Sequence, residues 1–162
     1  MKGYHLGEDF KIPDTLIISP IQTEEELNTL TKLYQQANHH TKFKNIFKWT
    51  KKTWKNCDNL VLKAELNDAL IGAISIEIHK KEALIEDIAI RSDLQKSGIG
   101  MKLWEYSEHQ LKLRGVNIIK GQIHYKRAEI IPFCYKNGFR LNKVVQDGFG
   151  KKEDFIEVIK YI

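Results

Sequence analysis

Glu86 and Asp87 stand side by side in the run Ile85-Glu86-Asp87-Ile88-Ala89-Ile90, where every other side chain is apolar. A carboxylate in such a setting can take a proton from an amine, directly or through water. Neighbouring side chains on a strand point to opposite faces, so only one of the two is expected to face a given cleft. Glu86 is the favoured base and Asp87 the alternative. A few residues on, Gln95-Lys96-Ser97-Gly98-Ile99-Gly100 places two glycines where a strand gives way to a helix. Glycine lets backbone N–H groups approach an anion closely, and a helix N-terminus adds about half a positive charge. Such a turn grips phosphate oxygens, with Lys96 and Lys102 adding mobile charge around it. A third candidate is Cys134, a residue type more often an inert part of a core than a catalyst.

Two phosphate-binding patterns do not fit this loop. The P-loop spacing G-x-x-x-x-G-K followed by Ser or Thr is absent. A dinucleotide fingerprint needs a third glycine where Leu103 stands, and its strand opens a βαβ unit. Here the preceding strand is the third of a meander.

The elements that must position these groups are legible along the chain. Residues 1–14 read as an extended lead-in and Leu16–Ser19 as a short β-branched run. Thr23 followed by Glu26 signals a capping box that opens a helix to about Asn38. A second helix is expected over Lys42–Lys55. Strands at Asn59–Leu66, Ala69–His79 and Ala83–Ile90 follow, with turns at Asn67-Asp68 and Lys80-Lys81-Glu82. A long helix is expected over Gly98–Leu113, stopped by Gly115. After it come a strand over Val116–His124, a short helix over Ile131–Asn137 with Pro132 in its first turn, and strands at Phe139–Val145 and Phe155–Ile162. That order describes a single domain spanning residues 1–162, a mixed sheet with helices on both faces.

Composition sets the remaining bounds. The chain has 162 residues, 42% of them apolar, and a net charge of +5 that favours anionic ligands without choosing among them. No run approaches the ~18 apolar residues of a membrane span, and Met1–His5 carries no apolar signal region. Cys57 and Cys134 are too few for a disulfide framework, so the cytoplasm is the expected compartment. The six histidines form no H-x-x-x-H pair, so no metal is expected. His39-His40 reads as a polar helix end, His124 as structural or surface, and the three tryptophans as core. The second helix has lysines at 44, 48, 51, 52 and 55 on one arc, read as a solvated face that could also recruit an anionic partner or contact nucleic acid.

The glycine turn resembles the pyrophosphate loop of the GNAT acetyltransferase superfamily, which after a strand has Arg or Gln, two residues, Gly, one residue, then Gly or Ala. The strand before it ends in the apolar triplet Ile88-Ala89-Ile90. Downstream, Phe133-Cys134-Tyr135-Lys136-Asn137-Gly138-Phe139 is similar to that family's F-Y-x-K-x-G-F. The resemblance runs from Leu84 to Phe139. It implies an α/β fold (α+β mixed sheet) of the GNAT acyl-CoA N-acyltransferase kind, its central sheet mostly antiparallel. It implies acetyl-CoA as cosubstrate and direct acetyl transfer to a primary amine of a small molecule or peptide, with no metal. The implied cofactor-binding residues are Ile88, Ala89, Ile90, Gln95, Lys96, Ser97, Gly98, Ile99, Gly100 and Met101; the catalytic candidates are Glu86, Asp87 and Cys134. A homodimer is kept open; a membrane is not an expected partner, nor is nucleic acid.

The sequence departs from that family twice. Ser92 replaces a usual proline, and Cys134 falls where a tyrosine is credited with protonating the leaving thiolate. Tyr135 is one residue on, and one helical step turns a side chain by ~100°. It can substitute only if the helix shifts register. The rival reading is a non-catalytic module of the same fold that binds CoA, or nucleic acid through its lysine face.

Overall fold

The computed structural model describes residues 13–162. All of the expected lead-in except Pro13 and Asp14 lies outside the described residues. Strand β1 (Ile17–Pro20) leads to helices α1 (Glu24–Ala37) and α2 (Phe43–Lys55). The meander β2 (Leu60–Leu66), β3 (Ala69–His79) and β4 (Glu82–Ile90) follows, then α3 (Ile99–Leu113) and β5 (Ile118–His124). Helix α4 (Ile131–Lys136) and strands β6 (Arg140–Val145) and β7 (Phe155–Tyr161) complete the order. Two short 3-10 turns that the sequence did not signal, Ser92–Leu94 and Tyr125–Ile130, precede α3 and α4.

Local chemistry explains the boundaries. Thr23 caps α1 by accepting the Glu26 N–H at 3.1 Å, and Glu26 reaches back to the Gln22 N–H at 2.6 Å. Asn67 and Asp68 both take positive φ, which suits a tight hairpin whose twist matches the strands. Gly115, at φ +75, ends α3 as expected.

The seven strands form one sheet in the order β1-β2-β3-β4-β5-β7-β6, and only β4–β5 is parallel. Each face of the sheet carries a core. On one side Ile99, Leu103, Trp104 and Leu111 of α3 pack with Leu62, Ile74 and Ile119. On the other, Leu27, Leu30 and Tyr34 of α1 and Ile46 of α2 cover Val61, Ala73 and Ala89. Burying side chains of this size stabilises by roughly 1.5–3 kcal/mol each, so both helix layers are held firmly to the sheet.

Two irregularities in β4 create the site. The β3–β4 register passes from Ser75↔Asp87 to Ile76↔Ile85, which leaves Glu86 as the extra residue of a β-bulge. The parallel pairing of β4 with β5 covers only Glu82–Ile85 against Ile118–Gly121. Beyond Ile85 the two strands part, and the rest of β4 has an open edge.

Candidate active site

The bulge changes which side chains share a face. Ala83 and Ile85 belong to the core under α3, and after the bulge it is Ile88 and Ile90 that do so. Asp87 and Ala89 therefore turn toward α1 and α2, where Ala89 is buried. Glu86 reaches the same layer, because Thr53 Oγ1 on α2 donates to its Oε2 at 2.6 Å. The expectation that only one of Glu86 and Asp87 could face the cleft is thus corrected. The extra residue breaks the alternation, and both line one cavity of about 500 Å³.

The environments of the two carboxyls differ. Burial pushes the Glu86 carboxyl above its usual range, opposed by the Thr53 hydrogen bond. Its Oε1 makes no hydrogen bond among the described residues. Burial raises Asp87 further, to about 7, against the Arg127 guanidinium and bonds from the Ile88 N–H and Asn38. Asn38 Nδ2 donates to its Oδ2 at 2.7 Å, the Ile88 N–H to its Oδ1 at 2.8 Å, and Arg127 Nη1 stands 3.6 Å from Oδ1. Both oxygens of Asp87 are engaged.

The open edge of β4 presents backbone groups to the cavity. Arg91 N–H donates to Ile71 O, and the two-residue period of an antiparallel ladder then sends the N–H and C=O of Ile88 and Ile90 to the opposite edge. The Ile88 N–H is taken by Asp87, and Ile90 O accepts from Gln95 Nε2 at 3.2 Å. That last bond ties the loop to the strand end.

Beyond the strand, Lys96 and Gly98 adopt left-handed backbone, at φ 60 and 88. The turn leaves the N–H groups of Lys96, Ser97, Gly98, Gly100 and Met101 without a hydrogen bond among the described residues. The Ile99 N–H is capped by Ser97 Oγ at 3.4 Å, and the Ile99 side chain is buried core. Unpaired donors at the N-terminus of a fifteen-residue helix fit an anion such as a pyrophosphate. Lys96 and Lys102 are exposed beside it.

Cys134 lines the cavity, whereas Tyr135 is 55% exposed and does not. Helix α4 has not shifted register, and Tyr135 does not take the missing tyrosine's place. Burial pushes the Cys134 thiol up to about 11. That is well above the ordinary thiol value of roughly 8.5; at neutral pH the group is a weak acid and a poor nucleophile. Cys134→Ala and Tyr135→Phe should each keep turnover within about threefold of wild type in an assay of thiol release. A hundredfold loss in Tyr135→Phe alone would mean that α4 rotates in the working enzyme.

Several cavity residues went unnoticed in the sequence or were read as bland. Asn38 caps the end of α1 and His40 lies in the turn after it, Arg127 comes from the 3-10 turn after β5, and Phe149 and Glu153 from the β6–β7 connection. His124 also lines the cavity rather than serving only as surface, and Trp49 is 56% exposed at its wall rather than core. On α2, Lys51 pairs with Glu24 at 2.6 Å, while Lys44, Lys48, Lys52 and Lys55 are solvent-exposed. Among the described residues no His, Cys, Asp and Glu group could hold a metal ion, and no helix is long and apolar enough to cross a membrane.

The chain is similar to the spermidine N(1)-acetyltransferase of Thermoplasma acidophilum, 30% identical over 106 residues, 65% of this chain and 62% of that protein. A shorter stretch of 56 residues, 35% of this chain, is 34% identical to the tRNA(Met) cytidine acetyltransferase of Aeropyrum pernix, of which it spans 8%. The chain thus spans less than two thirds of either curated relative. Its fold superposes on an aminoglycoside 6'-N-acetyltransferase solved with coenzyme A, with a TM-score of 0.77 at 17% identity, covering 90% of this chain and 96% of that one. A family model described as acetyltransferase (GNAT) family matches residues 24–139, and the chain belongs to that family.

Proposed function

We propose that the chain moves an acetyl group from acetyl-CoA directly to the primary amine of an acceptor, with Glu86 as the general base. One observation carries the reading: β4 leaves β5 at Ile85, and Glu86 stands at that fork with one carboxylate oxygen unbonded. The acceptors in the relatives' names, spermidine and an aminoglycoside, carry amines, and two unpaired cysteines suit a reducing compartment such as the cytoplasm.

Acetyl-CoA supplies an activated acetyl thioester. The free N–H groups of residues 96–98, 100 and 101 would hold its pyrophosphate, with Gln95 fixing the loop to Ile90. The open edge at Ile88–Ile90 would receive the arm that leads to the thioester. An amine arrives mostly protonated, since its ordinary pKa is near 10.4, and Glu86 Oε1 is placed to take that proton. Cys134 keeps its own proton and forms no acyl intermediate. The test is thiol release from acetyl-CoA by the purified chain against a panel of primary amines. Turnover that requires both an amine and Glu86 supports the reading; CoA binding with no turnover on any amine would leave the non-catalytic module in its place.

A further inference from the structure

The acceptor half of the cavity is built against the sign of the whole protein. The chain carries +5, yet the charged residues lining the cavity are Glu86, Asp87, Glu153 and a single cation, Arg127. That cation is already committed. Its Nη1 donates to Asn38 Oδ1 at 3.0 Å, its Nε to Glu129 at 2.9 Å, and it lies beside Asp87.

Glu153 is held differently. His124 Nδ1 accepts the Lys126 N–H at 3.1 Å, so the ring proton sits on Nε2, which donates to Glu153 Oε2. A neutral imidazole therefore orients this carboxylate without cancelling its charge. The ring of His124 stacks on His40 at 4.3 Å and lies nearly parallel to Phe149, 5° apart in plane and 5.8 Å between centroids. Burial holds His40 below its ordinary pKa. His40 and Tyr125 stack on His124 at 4.3 and 4.7 Å and cover its ring faces, so the ring serves to fix Glu153 rather than to meet a ligand. An ammonium group is what such a held carboxylate attracts, with Glu86 and Asp87 in the same cavity adding to the negative field.

Glu86 and Glu153 lie on separate elements, the β4 bulge and the β6–β7 connection, around one cavity. We propose that the acceptor is a small aliphatic diamine or polyamine. One amine reacts at Glu86 while a second, as ammonium, is held by Glu153. This rests on the transferase reading above and narrows its acceptor.

The experiment pairs α,ω-diamines of three to six carbons with n-alkylamines of equal length, using the full chain and Glu153→Gln. With wild type, kcat/KM for the best diamine should exceed that of its matched monoamine by at least about tenfold, the size expected of one ammonium held by a carboxylate. In Glu153→Gln that ratio should fall at least about fivefold, through KM rather than kcat. In parallel, calorimetry on CoA-saturated protein should show the diamine binding more tightly than the monoamine, and that difference should shrink in Glu153→Gln. Turnover of monoamines and diamines at similar kcat/KM, or a ratio that Glu153→Gln leaves unchanged, overturns the diamine site and leaves the transferase standing. Diamine binding that depends on Glu153 without any acetylation supports the site and sinks the transferase reading instead. Neither binding nor turnover sinks both.

Discussion

Gly100→Glu abolishes acetyl-CoA binding while the protein stays folded; calorimetry with acetyl-CoA and circular dichroism of the same sample check it. A Cβ at Gly100 would meet Ile90 at 3.5 Å and Phe133 at 3.6 Å, ordinary van der Waals contact. The backbone there is helical, within α3, so a side chain is tolerated and Gly100→Ala should bind CoA nearly as wild type does. The glutamate chain brings its own carboxylate to the unpaired N–H groups of Gly98, Gly100 and Met101. It fills the anion site from within and repels the phosphates. Like charges forced together cost several kcal/mol, which at 1.4 kcal/mol per tenfold means a loss of about a hundredfold or more. Wild type should gain thermal stability as acetyl-CoA is raised, by mass action, and the variant should not. Gly98→Glu is a worse test. Gly98 sits at φ 88, where any side chain strains the backbone. Wild type that binds no CoA would defeat the cofactor assignment altogether.

The loop was legible because its chemistry is local. Glycine spacing and the strand-to-helix transition are written in consecutive residues, and their structure depends on little else. The left-handed turn at Lys96 has no such signature, since lysine does not announce positive φ. Glu86 and Asp87 were found by residue type, but their facing was misjudged. A bulge is set by how β4 meets β3, not by the identity of Glu86. The acceptor side was the least legible. His40, Glu153 and Phe149 come from segments far apart in the chain that meet only when the β6–β7 connection folds over His124. Arg127 is one of 26 basic residues until the turn after β5 places it at Asp87. The order of elements implied helices on both faces of the sheet, yet Trp49, 56% exposed, shows that an aromatic residue in an amphipathic helix need not join the core.

Glu86→Gln lowers kcat by about 10²- to 10⁴-fold, the usual worth of a positioned general base, while acetyl-CoA affinity stays within about threefold. The substitution keeps the size of the side chain, and its amide oxygen can still accept from Thr53. What it loses is the unbonded oxygen that takes the proton. Asp87→Asn should cost less, because both oxygens of Asp87 are already bound to Asn38, Ile88 and Arg127. The pH profile separates the two carboxylates. A base works in its charged form, so the rate rises with pH through that group's ionisation. Burial raises Glu86 above the ordinary carboxylate value, which predicts an acid limb displaced upward from that of a free carboxylate, and that limb should vanish in Glu86→Gln. Asp87 titrates at about 7. A limb centred there, kept in Glu86→Gln but lost in Asp87→Asn, would transfer the role of base to Asp87. A loss under about threefold in both variants would mean that the amine reaches the site already neutral, because no carboxylate at the fork would then be removing its proton.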